Sequence, residues 1–271
     1  MDPGVRFTLK FWGVRGSIPT PQAENLRYGG NTTCLEIRAS GEQPLVIDAG
    51  SGARQLGMQL VDEITATLLF THFHWDHIQG LPFFAPLFQK ETKVTLASSH
   101  PLEDLRAVFD GLLRFPFHPI DFDYFSAVTE LRQLKGPWLH AGFKIHPFEL
   151  HHPQGATGYR LERQGAVMVH ASDHEHGNAA ADQVLLEQAR GADVLVYDAQ
   201  YTPQEYETQR GRGHSTWLAG VKLAAKASVK HLVLFHHDPA RSDEQLEAIL
   251  EQAQREFPST SLAREGTTIA F

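Results

Sequence analysis

The chain has 271 residues, 42% apolar and 21% charged, with 24 Lys and Arg against 32 Asp and Glu and a formal net charge of −8. That length and composition fit one soluble α/β domain, 1–271, with a sizeable core, and no run reaches the roughly 18 apolar residues a membrane helix needs. The acidic balance argues against a long polyanionic partner, since nonspecific nucleic-acid binding draws on basic surface.

Residues 1–6 lack the basic region and continuous apolar stretch of a secretory signal, and Cys34 is the only cysteine. Both point to the cytoplasm. A lone cysteine also excludes an internal disulfide and any cysteine-clustered zinc site, so a metal here would need nitrogen and oxygen ligands. The unusual count is 16 histidines, and their placement has to decide their meaning.

Taken in chain order, residues 5–12 alternate apolar and polar side chains and meet Gly13, which predicts a half-buried strand ending in a turn. Strands at 34–38 and 45–48 follow, separated by a hairpin-like Ser40-Gly41-Glu42-Gln43-Pro44, and a short helix runs to about Leu60. Residues 66–70 predict a buried strand whose carboxyl end delivers Thr71 and a histidine cluster. Further strands are expected at 93–97, 143–150, 158–162, 167–170, 194–197, 231–235 and 267–271. Helical periodicity marks 179–190 and 242–257, the second opened by a capping box of Ser242 and Gln245. The stretch 101–134, with Phe115-Pro116-Phe117-His118-Pro119 inside it, reads as a lid or rim. Strands interleaved with helices predict a layered α/β fold.

Polar clusters recur at the strand ends: 72–77, His151-His152, Ser172-Asp173, Asp198 and His236-His237. Ligand sites are usually assembled from such loops. In His72-x-His74-x-Asp76-His77 the first two histidines, two apart on an extended loop, direct both imidazoles to one side, while Asp76 and His77 reach a second position. Borderline divalent metals accept this ligand set, and two ions about 3.5 to 4 Å apart form a clamp suited to hydrolysis. Trp75 is read as packing and Asp48 as a brace for the loop.

That loop resembles the signature of the metallo-β-lactamase superfamily, which implies a four-layer αββα sandwich with the site at one edge. The resemblance extends the ligand set to His152, Asp173 and His236. Spacing alone leaves His151 against His152 and His236 against His237 open. The implied first metal site is His72, His74 and His152, and the second is Asp76, His77 and His236, with Asp173 bridging. Two divalent ions are implied, zinc or manganese, with iron as an alternative, sharing a bridging hydroxide.

Arg212-Gly213-His214-Ser215-Thr216 is similar to the His-Ser-Thr loop of transfer-RNA 3′-processing endonucleases and their small phosphodiesterase relatives, and Asp198 stands where those enzymes carry an acidic residue. The implied catalytic set is Asp76, His214 as general acid and Asp198 as its orienting partner. The segments 11–19 and 27–33 resemble a bacterial subgroup associated with cyclic phosphates, which implies substrate contacts at Arg15 and Asn31, and Ser215 of the His-Ser-Thr loop is expected to join them. The expected substrate is a small phosphodiester, a cyclic nucleotide or cyclic phosphate. Transfer-RNA 3′ processing is the second expectation, weakened because no long Gly- and Pro-rich arm is present. A lactone or other non-phosphate ester would leave His214 and Asp198 unexplained. A homodimer is carried as a further expectation.

Overall fold

The computed structural model describes residues 4–271; residues 1–3, part of the segment read for a secretory signal, lie outside it. The first half builds one sheet. Strands β1 (Thr8–Gly13), β2 (Cys34–Arg38) and β3 (Leu45–Ile47) pair antiparallel, helix α1 (Ala53–Gln59) crosses over, and β4 (Thr65–Phe70) then runs parallel to β3. A single helical turn, α2 (Trp75–Ile78), follows β4. Next come β5 (Lys93–Ser98), α3 (Leu102–Leu112) and β6 (Val128–Gln133), both strands again parallel.

The second half repeats this plan. Strands β7 (Trp138–His140), β8 (Phe143–Leu150), β9 (Ala156–Arg163) and β10 (Ala166–Ala171) form an antiparallel run. Helix α4 (Ala179–Ala189) leads to the parallel β11 (Val194–Asp198), and α5 (Pro203–Gln209) and α6 (Trp217–Lys226) to β12 (His231–Phe235). Helix α7 (Asp243–Glu256) precedes β13 (Thr260–Leu262), after which β14 (Thr268–Ala270) returns to pair with β1. Each sheet has seven strands.

Alternation of side chains explains the layering. In β3, Leu45 and Ile47 face the other sheet while Val46 faces the helices; in β12, Val233 and Phe235 face inward while Leu232 and Leu234 pack under α6 and α7. Strands buried on both faces read as continuous apolar runs, as parallel sheets require. The two sheets share one inner core, from Phe7, Phe11 and Ile37 to Phe143, Leu161 and Phe235, and each outer face is covered by helices. This is the αββα sandwich expected.

Several expectations shift. Strands β6, β7 and β13 escape the periodicity reading because they are short or carry charged, half-exposed residues such as Glu130 and Arg132. The stretch 101–134 contains α3 and β6, and Asp104, Ala107 and Val108 of α3 line a cavity beside His72 and His74, consistent with a rim. Trp75 is not packed: it begins the α2 turn and stands 66% exposed. The capping box at Ser242 forms as read, and a second one, Thr202 with Glu205, starts α5. Among the described residues no helix is long and apolar enough to cross a membrane.

The sheets are tied directly beneath the histidine loop. The buried Tyr159 hydroxyl of β9 donates to the Phe70 carbonyl at the end of β4 (2.6 Å), and the Thr157 amide donates to the Thr71 carbonyl (2.9 Å). Removing the hydroxyl in Tyr159→Phe leaves a buried carbonyl without that donor and is expected to lower unfolding free energy by about 1–3 kcal/mol. Urea denaturation checks it; an unchanged midpoint would contradict the tie.

Candidate metal centre

Parallel strands deliver their carboxyl ends to one rim, where sites in open α/β sheets collect. Here Asp48 follows β3, His72 lies just beyond β4, Asp173 just beyond β10, Asp198 ends β11 and His236 follows β12. Asp48, Asp173 and His236 all take left-handed backbone conformations, with φ of 60°, 61° and 58°. Such a conformation is uncommon outside glycine, though Asn, Asp and His adopt it more readily than other residues, and the surroundings help to hold it.

The 72–77 loop is extended only to His74, which caps α2; Asp76 and His77 lie on the helical turn. The change of backbone separates the ligand atoms into two groups. In the first, His152 Nε2 lies 3.2 Å from His74 Nδ1 and 3.8 Å from Asp173 Oδ1, with His72 Nε2 at 3.9 Å from the same oxygen. In the second, His77 Nε2 and His236 Nε2 lie 3.2 and 3.4 Å from Asp173 Oδ2, and 3.4 and 3.2 Å from Asp76 Oδ2. Each oxygen of one carboxylate thus faces one cluster.

Candidate ligand atoms within 4.8 Å of one another form the sets His72, His74, His152; His72, His77, Asp173; Asp76, His77, His236; and Asp173, Asp198, His214, His236. All seven residues expected as ligands are brought together. Between the open neighbours, His152 and His236 face the cluster. His151 turns its Nδ1 to the Glu175 carbonyl (2.9 Å), and His237 is buried against Tyr28 with Nε2 on the Ala263 carbonyl (2.9 Å).

The donor set fits a pair of divalent cations. His72 Nε2 is buried without a hydrogen-bond partner, an expensive arrangement unless a cation uses its lone pair. The opposite ring nitrogens are held: His77 Nδ1 by Asp48 (2.8 Å), His72 Nδ1 by Thr71 (3.1 Å), His152 Nδ1 by the Gly213 carbonyl (2.7 Å) and His236 Nδ1 by Gln200 (2.9 Å). Partners of this kind fix ring orientation and tautomer, aiming Nε2 at the metal position. The exception is His74, which offers Nδ1 while its Nε2 meets Gln154 (3.2 Å).

Beside these groups, His214 Nδ1 lies 2.9 Å from Asp198 Oδ2 and 3.8 Å from Asp173 Oδ1, and its ring stacks on His236 at 4.9 Å. The three residues expected to contact substrate are engaged elsewhere. Arg15 is fully buried, its guanidinium donating to the carbonyls of Gly29, Asp238 and Arg241, with Asp243 at 3.6 Å. Asn31 is held by Glu265 and Ser51, and Ser215 is buried against Tyr197 and His176. The polar groups these side chains use are turned to protein partners rather than to the histidine cluster.

The N-terminal motif serves the site in another way. Its segment lies along the end of β12, and the Ser17 amide donates to Asp76 Oδ2 (2.8 Å). Gly16 permits that approach, since a Cβ there would collide with the His236 ring. Ser17 and Gly213 act through peptide groups, which leave no residue pattern, while Gln200 and Gln154 act through side-chain oxygens that no spacing singled out.

The electrostatics divide the centre. Burial, aided by the neighbouring His77, holds His72 well below the usual imidazole range, and burial lowers His152. At the second position burial also opposes protonation, yet Asp173, Asp76 and Asp48 outweigh it and raise His77 well above the usual value. Asp173 and Asp76 likewise overcome burial at His236, raising it to about 9. Without metal, His77 and His236 therefore hold protons near neutrality. Their raised values mean that a cation must displace those protons, so affinity rises with pH. Calorimetric titration with zinc near pH 7.5, in buffers of different ionisation enthalpy, is expected to show release of about two protons from these rings; binding without proton release would contradict it.

Residues 44–237, well over half of the chain, match the family described as Beta-lactamase superfamily domain. Ribonuclease Z of Ignicoccus hospitalis is 38% identical over 83% of this chain and 88% of its own length. Ribonuclease Z of Brevibacillus brevis is 40% identical over 91 residues, 32% of this chain and 29% of that relative. Two solved structures share the fold. The metallo-beta-lactamase fold protein YhfI from Bacillus subtilis has a TM-score of 0.75 at 16% identity, covering 98% and 99% of the two chains. A diphosphatase from the PhnP family has a TM-score of 0.72 at 21% identity, covering 98% of each. With its sandwich, its rim of strand ends and its histidine loop, the chain belongs to the beta-lactamase superfamily.

Proposed function

We propose that this chain, as one domain, is a metal-dependent hydrolase that cleaves a small phosphodiester, a cyclic nucleotide or another cyclic phosphate, in the cytoplasm. The observation that carries the reading is the His214–Asp198 pair, its atoms 2.9 Å apart, set beside the metal cluster. An alkoxide leaving a phosphorus atom needs a proton, and a positioned imidazolium supplies one.

Two bound divalent ions, zinc or manganese, would contribute Lewis acidity and generate a nucleophile from water at neutral pH. His72, His74 and His152 would hold one, and Asp76, His77 and His236 the other, with Asp173 common to both. Asp76, fixed by the Ser17 amide, would also orient the attacking water. Asp198 binds the Nδ1–H of His214 and orients the ring, so that a proton on Nε2 is directed to the departing oxygen. As the P–O bond breaks, that proton passes to the alkoxide, and His214 remains neutral with Nδ1–H still on Asp198.

A cavity of about 420 Å³ opens beside His72 and His74, lined by Phe73, His100, Val108 and Gln154. Its size suits a small ligand, and the net charge of −8 disfavours a long polyanion. A second reading, transfer-RNA 3′ processing, draws support from the 38% identity to a ribonuclease Z.

Purified protein is expected to hydrolyse bis(p-nitrophenyl) phosphate, to lose activity to a chelator and to regain it with zinc or manganese. In parallel assays, turnover of cyclic nucleotides or cyclic phosphates supports the small-diester reading; cleavage confined to precursor transfer RNA overturns it. His214→Ala should retain its metal and lose about 10²- to 10⁴-fold in kcat. A metal-loaded variant as fast as the parent would remove His214 as the acid.

A further inference from the structure

Glu175 lies two residues beyond Asp173, is 5% exposed, and is absent from the candidate ligand sets above. Its carboxylate is nevertheless enclosed by donors. Oε1 accepts from the Gly211 amide (2.6 Å) and the Tyr206 hydroxyl (3.0 Å), and Oε2 accepts from the Gly213 amide (2.7 Å). Both glycines take left-handed conformations, with φ of 84° and 86°, which turn the two N–H groups toward one carboxylate.

Gly213 joins this carboxylate to the metal cluster. Its N–H points to Glu175, and its carbonyl accepts from His152 Nδ1 (2.7 Å). A Cβ at Gly213 would collide with the His152 ring and Pro153, so the loop passes as close to that imidazole as a backbone can. The next residue is His214. The main chain of Glu175 is fixed as well, its amide donating to the His151 carbonyl (2.7 Å) and its carbonyl meeting His151 Nδ1 (2.9 Å). One residue therefore clamps the 151–152 loop and the 211–214 loop together.

We propose that Glu175 is the positioning residue of this centre, fixing through the Gly213 peptide both the ring orientation of His152 and the placement of His214. The physical basis is that a carboxylate accepts several amide hydrogen bonds at charge-assisted strength. Donation from Gly213 N–H to an anion also polarises the peptide, making its carbonyl a better acceptor for His152 Nδ1–H and the imidazole a better metal ligand. Glutamine at this position has nearly the same shape, but its NH₂ group must face one of the glycine amides. Donor then opposes donor, and one of the two loop anchors is lost.

The inference rests on the reading of the histidine cluster as a metal centre, but not on the identity of the substrate, and its test separates the two. Glu175→Gln and the parent are compared by direct cobalt(II) and zinc(II) binding, by the visible spectrum of the cobalt-loaded protein, and by kcat and KM on bis(p-nitrophenyl) phosphate. The expected result is metal affinity about 10- to 100-fold weaker and a changed cobalt spectrum. At saturating metal, kcat should fall at least tenfold with KM within twofold. Glu175→Asp, which restores both acceptor oxygens on a shorter stem, should recover part of the affinity. A variant that is folded by circular dichroism, and whose metal affinity and cobalt spectrum match the parent, overturns the proposal. If the parent binds metal but hydrolyses no phosphodiester, the substrate reading fails while the binding arms still decide the role of Glu175. If the parent binds no metal, the metal-centre reading and this proposal fall together. Should Glu175→Gln fail to fold, Glu175→Asp carries the comparison: partial weakening supports the proposal and parental affinity overturns it.

Discussion

The carboxylate of Asp173 is the constraint around which the rim is organised. Five imidazoles crowd its two oxygens, His72, His152 and His214 on one side and His77 and His236 on the other, all within 3.9 Å. Those rings reach it from four separate parts of the chain, so the full set meets only when both sheets are assembled in register. Its backbone sits at φ 61°, and its amide is held by Asp198 at 3.1 Å. The side chain that holds His214 therefore also holds the conformation of Asp173, and the proton-donor pair and the metal positions are mechanically one unit.

Strain is concentrated where that unit is built. Asp48, Asp173 and His236 adopt left-handed conformations at the ends of three strands, an arrangement that persists only when neighbours over-determine it. The neighbours are identifiable. Asp48 is tied to the Thr71 amide and hydroxyl and to His77; His236 is tied to Gln200 and Asp76, with Gly16 leaving room for its ring. The sheets supply the rigidity, since Tyr159 and Thr157 join them immediately below the loop.

The same geometry explains what could be read in advance. Strands facing apolar layers on both sides declare themselves as runs such as His231–Phe235, and the loop at 72–77 is legible because side chains must supply its chemistry at fixed spacing. Choosing His152 over His151 and His236 over His237 required the fold, because adjacent residues differ only in which way the chain turns. Arg15, Asn31 and Ser215 stood out through resemblance, yet in the fold their side chains hydrogen-bond to neighbouring protein groups. The Ser17 amide and the Gly213 carbonyl were illegible for a simpler reason: a peptide group has no letter of its own.

The centre also treats its two positions unequally. His72 and His152 are held neutral by burial, whereas the carboxylates raise His77 and His236 until they carry protons. This follows from the ligands themselves. The first position has three imidazoles and meets a single carboxylate oxygen, so little opposes the loss of protons in a low-dielectric site. The second has Asp76 in addition to Asp173, with Asp48 behind His77, and three negative groups require positive charge whether or not a cation supplies it. Protons on His77 and His236 would offset that negative charge in the absence of a cation. The first position is thus a ready ligand set, and the second is a charge-balanced one in which a divalent ion replaces protons already in place.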